Sequence, residues 1–103
     1  MTDRNTLPAR RHAETFEITH GGQQTRFAVT FGFYENRRLG EIFISGAKAG
    51  SEVEGIARDG AVLLSIALQY GVPIETIKGA ITRNLDGTPM TIIGAVVDRI
   101  DNG

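Results

Sequence analysis

The segment TRFAVTFGFY, residues 25–34, alternates apolar side chains with small or polar ones along its whole length. Its most apolar positions are Phe27, Val29, Phe31 and Phe33. Because successive side chains of an extended chain point to opposite faces, this period of two predicts a strand with one face in a hydrophobic core. It is the strongest strand signal in the chain, and the neighbouring segments are interpreted relative to it.

Two further strands are predicted on either side of this segment. Upstream, residues 12–20 alternate Phe16 and Ile18 with polar side chains, and a pair of glycines ends the run. Downstream, residues 40–45 contain the apolar run IFI after a short polar turn. Short links between consecutive strands favour antiparallel pairing, so the three segments predict a meander. If Phe43 points away from its two neighbours, the open face of the sheet carries exposed apolar surface.

The hydrophobic period changes at Ser51. Ser51 and Glu54 have the spacing of a capping box, which predicts the start of a long helix. Gly71 stands where a left-handed residue after the helix belongs. Gly55 and Gly60 each cost about 1 kcal/mol relative to alanine inside a helix, so we expect another element to approach closely at both. The predicted apolar stripe consists of Val53, Ile56, Ala57, Gly60, Leu63, Leu64, Ala67 and Leu68.

Two shorter helices are predicted in the last third of the chain. Pro73 opens the first of them, with Ile74, Ile77 and Ile81 as its apolar stripe. Thr88 and Pro89 form a cap-then-proline signature that predicts the start of the last helix, which ends near Asp101. The predicted fold class is therefore α+β: a three-stranded antiparallel meander covered on one face by a long helix and two shorter helices.

Length and composition exclude several classes of function. The chain has 103 residues, a formal net charge of -1 and no cysteine. One core fits this length, so we expect a flexible N-terminal arm at residues 1–11 and a single domain at residues 12–101. The charge balance argues against binding to duplex nucleic acid or to a membrane, and without a signal-peptide pattern we expect a cytoplasmic protein. With no thiols and two histidines, we expect no metal site and no cofactor.

The turn before the long helix is a first candidate ligand site. Lys48, Gly50 and Ser51 combine a positive charge, a flexible backbone and free N–H groups at a helix start, which together favour a phosphate. Glu52 and Glu54 already compensate the helix dipole and would repel an anion. The alternative interpretation is a tight strand-to-helix turn that needs glycine for its backbone dihedral angles.

A second candidate site lies in the turn between the two short helices. Arg83, Asn84, Asp86 and Thr88 bring together an arginine and an amide, groups that can contact a phosphate and a base edge. The same residues also suit ordinary turn chemistry, in which Asn84 and Asp86 bond their own backbone. Both interpretations remain open from the sequence.

Catalytic groups are sparse in the sequence. His12 and His20 lie at opposite ends of the first predicted strand, too far apart to share one ion. No pair of carboxylates and no serine has the context of a catalytic residue, so we expect no catalytic residues and no enzyme.

Some residues are better candidates for an interface. Tyr34, Phe43 and Arg58 are candidate contacts in a homo-oligomer, formed through the open sheet face or the glycine-bearing side of the long helix. Arg37 and Arg38, beside Tyr34, combine charge with an aromatic ring but fall short of a track for single-stranded nucleic acid.

Three runs of sequence resemble a known family. GEIFIS at residues 40–45, GAKAGS at residues 46–51 and GAVLLSIALQYGVP at residues 60–73 are similar, in this order, to the TSCPD domain. That domain occurs at the C-terminal end of some vitamin B12-dependent ribonucleotide reductases and as small standalone proteins. Residues 86–95, DGTPMTIIGA, stand in place of the Thr-Ser-Cys-Pro-Asp run that names the family. No thiol or metal role of that cysteine is therefore implied for this chain.

The resemblance implies a standalone accessory-type domain that lacks the catalytic barrel of the reductase. Together with the residue patterns, it favours a non-catalytic homo-oligomer that binds a small nucleotide-like or phosphate-bearing ligand. A sequestering protein for a nucleotide signal is a narrower version of that hypothesis. The alternatives are a structural or regulatory protein–protein interaction module and, least favoured, a hydrolase that uses Glu41 or His20.

Overall fold

The computed structural model describes residues 3–46, 48 and 50–100. Three strands form one antiparallel sheet in the order β1-β2-β3: β1 (Ala13–His20), β2 (Thr25–Phe33) and β3 (Leu39–Gly46). Three helices follow in the described part of the chain: α1 (Glu52–Gln69), α2 (Ile74–Ala80) and α3 (Ile92–Asp98). The predicted α+β fold, with an antiparallel meander packed against the long helix, is confirmed.

The central strand β2 supplies the middle of the core. Phe27, Val29 and Phe31 point toward the helices and are buried. On β3, Ile42 and Ile44 are buried with them, while Phe43 is 53% exposed on the opposite face. The expected orientation of Phe43 is therefore confirmed. Its surroundings are polar, because its cross-strand neighbour is Thr30, which in turn lies opposite Thr15.

Helix α1 buries only part of the stripe that was predicted to face the core. Ala57, Ala61 and Leu64 are buried against the sheet, whereas Val53, Ile56 and Leu63 are each more than half exposed. The prediction was wrong for these three large side chains. Apolar residues cover more than half of the circumference of α1, and the buried side is the one whose small alanines let the helix approach β3.

The two glycines inside α1 differ in their surroundings. A Cβ atom at Gly60 would collide with the side chain of Ile93 on α3, so the expected close approach is confirmed there. A Cβ atom at Gly55 would meet nothing within 4 Å, so the same expectation was wrong for Gly55. Gly60 is therefore the position at which α3 packs on α1.

Helix α3 begins later than the sequence predicts. Thr91 is its N-cap, and the Thr91 hydroxyl accepts a hydrogen bond from the N–H of Gly94 (3.2 Å). The predicted cap at Thr88 and Pro89 was wrong, because Pro89 pairs with Arg83 in an isolated β-bridge and extends the preceding turn. The helix ends at Asp98, and the predicted end near residue 101 lies outside the described residues.

Part of the N-terminal arm contacts the domain. The Asn5 N–H donates to the carbonyl of Gln69 (2.9 Å), and Arg4 Nε donates to the Gln69 side chain (2.6 Å). Arg11 forms an ion pair with Glu41 (2.6 Å). These contacts connect residues 4–11 to α1 and β3. The flexible arm and the domain boundary at residue 12 stay predictions.

Candidate functional site

The turn before α1 uses its polar groups internally. The Ser51 hydroxyl accepts from the N–H of Glu54 (3.2 Å), and the Glu54 carboxylate accepts from the N–H of Gly50 (3.1 Å). The Ser51 half is the predicted cap, whereas the Glu54 carboxylate reaches the residue before the N-cap instead of Ser51 itself. Together the two bonds occupy two of the N–H groups that an anion would need. Lys48 is exposed, and its carbonyl accepts from the N–H of Ser51 (3.0 Å).

Arg83 is held by an acidic residue on α3. Its two terminal nitrogens donate to the two carboxylate oxygens of Asp98, each at 2.9 Å, in a bidentate ion pair. The same guanidinium also donates to the carbonyls of Gly87 (3.1 Å) and Lys78 (3.2 Å). The hydrogen bond from Arg83 holds the pKa of Asp98 below its usual range, and that bond likewise raises the pKa of Arg83. Arg83 thus connects the turn to α3 through Asp98.

The other members of the second candidate site bond one another. The Asn84 amide donates to the Thr88 hydroxyl (3.0 Å), and the Asp86 carboxylate accepts from the N–H (3.0 Å) and hydroxyl (2.6 Å) of Thr88. The hydrogen bonds from Thr88 lower the pKa of Asp86. The structure brings Arg83, Asn84, Asp86 and Thr88 together in one turn, in which the last three bond one another and Arg83 bonds mainly to groups outside the turn. Lys48, Gly50 and Ser51 bond within their own turn.

The three candidate interface residues have different environments. The Tyr34 hydroxyl donates to the carbonyl of Asn5, and burial raises the pKa of Tyr34 against the opposing effect of Arg38. Phe43 is exposed on the open sheet face, and Arg58 is exposed on α1. The structure does not bring these three residues together, and their role at an interface stays a prediction.

The two histidines make separate contacts. The ring of His12 lies 5.6 Å from the ring of Phe33, and its Nε2 is 3.9 Å from a carboxylate oxygen of Glu14. His20 Nε2 is 3.0 Å from the carbonyl oxygen of Met90. Within residues 3–46, 48 and 50–100, no group of three or more histidine or acidic residues could hold a metal ion.

The structure reveals a groove that is not one of the two turns predicted as ligand sites. It has a volume of about 770 Å³ and lies between the end of the N-terminal arm and the β2–β3 hairpin. Its lining residues are Arg10, Arg11, His12, Glu14, Phe33, Tyr34, Glu35 and Arg37. Charged groups and aromatic rings thus face the same space, which suits a ligand that has both an ionic and a flat apolar part.

A second groove of about 790 Å³ adjoins the first one and shares Glu14, Phe33 and Arg37 with it. Its floor is apolar and includes Phe16 and Phe31 of the sheet. The other lining residues are Thr15, Arg38, Leu39, Leu68, Gly71, Val72, Pro73, Ile74, Glu75, Arg99 and Ile100. We call the two together the arginine groove, because five arginines and only three glutamates line them.

Several of these arginines have no ionic partner. Among the described residues, the side chains of Arg10, Arg37 and Arg38 form no ion pair or hydrogen bond. The Arg99 guanidinium lies 4.9 Å from the centroid of the Phe16 ring, in a cation–π contact. Arg37 has a backbone φ of +69°, a region that arginine rarely adopts. The arginine groove therefore holds cations that form no ion pair with any described residue, although the net charge of the chain is -1.

One pattern in the sequence coincides with part of the arginine groove. Arg37 and Arg38 stand beside Tyr34, a pattern that combines charge with an aromatic ring. The remaining lining residues come from the N-terminal arm, all three strands, the end of α1, the start of α2 and the end of α3, and no spacing in the chain connects them. Only the folded chain brings them together.

Comparison with known proteins relates the chain to one family. The profile of the TSCPD domain matches residues 3–100. The chain belongs to the TSCPD domain family. It is 42% identical over 74 residues to a vitamin B12-dependent ribonucleotide reductase of Rhodopirellula baltica, which covers 72% of this chain and 7% of the reductase.

Other reductases of the same description are similar to the chain. The enzyme of Bradyrhizobium diazoefficiens is 35% identical over 82 residues, 80% of this chain and 6% of the reductase. That of Streptantibioticus cattleyicolor is 35% identical over 79 residues, 77% of this chain and 13% of the reductase. The chain thus corresponds to a small part of these enzymes. No solved structure matches the chain.

In this TSCPD domain, the segment without the family's cysteine has a structural role. Residues 86–95 include the end of the Arg83 turn, the Thr91 cap and the first residues of α3. Gly94 is buried, and a Cβ atom there would lie 2.9 Å from Pro89.

In the described part of the chain, no helix is both long and apolar enough to span a membrane.

Proposed function

We propose that this TSCPD domain is a non-catalytic module that binds a small anionic ligand with an aromatic or apolar body, such as a nucleotide, in the arginine groove. The observation that carries the proposal is the set of arginines without ionic partners beside an aromatic floor. Sequestration of a nucleotide signal is a narrower form of the same proposal.

The chemistry of the groove fits both halves of such a ligand. A guanidinium group forms two parallel hydrogen bonds to a phosphate and stacks on a planar ring. Arg10 and Arg37 lie at the more polar part of the groove, and Phe16 and Phe31 line the apolar part. Arg99 already covers the Phe16 ring at 4.9 Å, so a base would stack against the same ring or against the guanidinium.

The two turns predicted as ligand sites are weaker candidates than the arginine groove. Arg83 makes four hydrogen bonds to other described residues, and an incoming phosphate would have to displace Asp98. At the other turn, the Glu54 carboxylate occupies the N–H of Gly50 and adds a negative charge. Both turns remain in the test below.

A non-catalytic role is supported by the separation of the groups considered for hydrolysis. Glu41 is held by Arg11 at 2.6 Å near one end of the sheet, where it faces Gly32. His20 faces Thr25 at the other end and contacts the carbonyl of Met90. An acid and a base must both reach one reacting atom, and these two residues do not share a cleft.

Thermal unfolding and calorimetric titration test the proposal. ATP, AMP and a cyclic dinucleotide are the probes, with inorganic phosphate and adenosine as the two separate halves of the ligand. A ligand at one hundred times its dissociation constant is expected to raise Tm by roughly 10 °C. Arg37→Ala and Arg99→Ala should each abolish the shift. Arg58 is exposed on α1 and does not line the arginine groove, so Arg58→Ala should retain it.

Three outcomes overturn or relocate the proposal. Binding that survives both groove variants but is lost in Arg83→Ala or Lys48→Ala assigns the ligand to one of the turns. No shift with any probe rejects nucleotide binding, and turnover of a probe that is lost in His20→Ala rejects the non-catalytic role.

A second candidate function is an interaction module that docks on a ribonucleotide reductase. The observation that favours it is the outer surface of α1, where Ile56 and Leu63, seven residues apart and therefore on one face of the helix, are each more than half exposed. Exposed apolar patches of this kind often mark protein contacts. The relatives are vitamin B12-dependent ribonucleotide reductases of which the chain matches only a small part, so such a reductase is the proposed partner.

Titration of a purified vitamin B12-dependent reductase with this chain tests the second candidate. Leu63→Asp should abolish the binding, because it buries a charge in an apolar contact. Arg37→Ala should leave it unchanged. No binding at micromolar concentrations rejects the candidate.

A further inference from the structure

One edge of the sheet is closed by α1. The Ser65 hydroxyl accepts from the N–H of Ile42 (2.8 Å), and the Gln69 amide donates to the carbonyl of Gly40 (2.9 Å). Ile42 and Gly40 lie on β3, and these backbone groups point away from β2. Both helix side chains are buried. At residues 40 and 42, the edge of β3 is therefore occupied by side chains of α1.

The opposite edge, on β1, is open. The carbonyl of His12 accepts from the N–H of Phe33 (2.9 Å), so the backbone of residue 12 faces β2. Because backbone groups alternate in direction along a strand, residues 13, 15, 17 and 19 face outward. Among the described residues, the N–H and C=O groups of these four have no hydrogen-bond partner. An open edge of this length is a template for pairing with another strand.

We infer that β1 pairs with β1 of a second copy of this chain, antiparallel and centred on Glu17, to form a six-stranded sheet across a two-fold axis. In this register Phe16 lies opposite Ile18 of the second copy, Thr15 opposite Thr19, and Glu14 opposite His20. Each of these pairs occurs twice by symmetry. The strand thus complements itself in apolar and hydroxyl pairs, and Glu14 lies opposite an imidazole.

The neighbouring registers are less favourable. Moving the centre to Phe16 places Glu14 opposite Ile18, a charge against an apolar side chain. Moving it to Ile18 restricts the overlap to residues 16–20. The cost of the proposed register is a Glu17–Glu17 contact, which lies on the open sheet face, where water and salt reduce the repulsion.

The second copy would also complete the arginine groove. Glu14, Thr15 and Phe16 line the groove from β1, and the open edge of this strand is the side on which the second copy would add its own strand. Dimerisation is measured without any ligand, so its result tests this inference separately from the proposed ligand binding.

Analytical ultracentrifugation of the unmodified chain is the first test. We expect a dimer at 100 µM that dissociates on dilution, and a monomer at that concentration overturns the inference. Glu17→Gln removes the like-charge contact and should strengthen the dimer about two- to fivefold. Glu35→Gln, in the hairpin outside the paired strand, is the matched control and should leave the dimer unchanged.

Disulfide trapping tests the register. The chain has no cysteine, so each introduced cysteine reports on one contact. Glu17→Cys should form a covalent dimer under mild oxidation, since Cα atoms of directly paired residues lie within disulfide range. An equimolar mixture of Thr15→Cys and Thr19→Cys should form a mixed dimer, and Ser45→Cys on β3 should stay monomeric. Equal trapping of Glu17→Cys and Ser45→Cys overturns the inference.

Discussion

The Ser65 hydroxyl oxygen lies 2.8 Å from the backbone nitrogen of Ile42 and 3.0 Å from the carbonyl oxygen of the same residue. It is also 2.8 Å from the carbonyl oxygen of Ala61, so its single proton lies within reach of two acceptors. Ile42 is 1% exposed. A side chain of α1 thus takes the place that a neighbouring strand would occupy, and this contact sets the face that α1 presents to the sheet.

Replacing Ser65 should therefore destabilise the fold. Ser65→Ala leaves the N–H of Ile42 buried without a partner, and we expect a loss of about 1–3 kcal/mol in the free energy of unfolding. Urea denaturation at pH 7 measures it. Ser45→Ala removes a hydroxyl from an exposed position of β3 and should change the free energy of unfolding by less than about 0.5 kcal/mol. Equal effects of the two substitutions would contradict the role given to Ser65.

The two glycines of α1 should respond in opposite directions to alanine. Gly55→Ala adds a methyl group in open space and gains helix propensity, so we expect stabilisation by about 0.5–1 kcal/mol. Gly60→Ala meets Ile93 and should destabilise the protein by about 1–3 kcal/mol despite the same gain in propensity. The double variant Gly60→Ala, Ile93→Ala should remove the collision, so in that background the alanine at position 60 should no longer be unfavourable. Stabilisation by Gly60→Ala alone would mean that α3 does not pack there.

The hydrophobic periodicity of the sequence predicted the strands and helices. The wrong predictions concern which side of a helix packs against the sheet. The alternation of Phe27, Val29 and Phe31 predicted the bounds of β2 within one residue. A strand with one buried face has apolar residues at every second position, so this pattern is visible in the sequence. The buried side of α1 could not be predicted in the same way. Its apolar residues cover more than one side, and the choice between sides depends on hydrogen bonds from Ser65 and Gln69 to β3.

The candidate site was predicted less completely than the fold. Local sequence patterns indicated the two turns as ligand sites. In the structure, Ser51 and Thr88 bond neighbouring residues of their own turns, and Arg83 bonds Asp98 on α3 and the carbonyl of Lys78. The arginine groove joins Phe16, Arg37 and Arg99, which are far apart in the chain and carry no common motif. Such a site arises from tertiary packing, and no local pattern encodes it.

Asp98 should contribute to stability in a pH-dependent way. Arg83 lowers the pKa of Asp98 below its ordinary value of 3.8, so folding favours the charged carboxylate. The stabilisation is therefore fully present above pH 3.8 and is lost as the pH falls through the lowered pKa. Asp98→Asn should unfold at a lower urea concentration than the unmodified chain at pH 7, and the difference should shrink below pH 3.8. Asp59→Asn, exposed on α1, is the control and should match the unmodified chain at pH 7. A difference for Asp98→Asn that stays constant from pH 7 to pH 3 would contradict this account.

The backbone of Arg37 offers a way to separate stability from binding. Its φ of +69° costs roughly 1 kcal/mol for a residue with a Cβ atom, and the strained position lies in the arginine groove. Gln24 has a φ of +54° in the β1–β2 turn, away from the groove, and gives a matched control. Arg37→Gly and Gln24→Gly should both raise the free energy of unfolding, by up to about 1 kcal/mol, because glycine relieves the strain. Only Arg37→Gly should abolish the thermal shift produced by the nucleotide probes, as Arg37→Ala should. If Arg37→Gly stabilises the chain and leaves the shift unchanged, strain at this position has no connection with binding, and Arg37 does not contact the ligand.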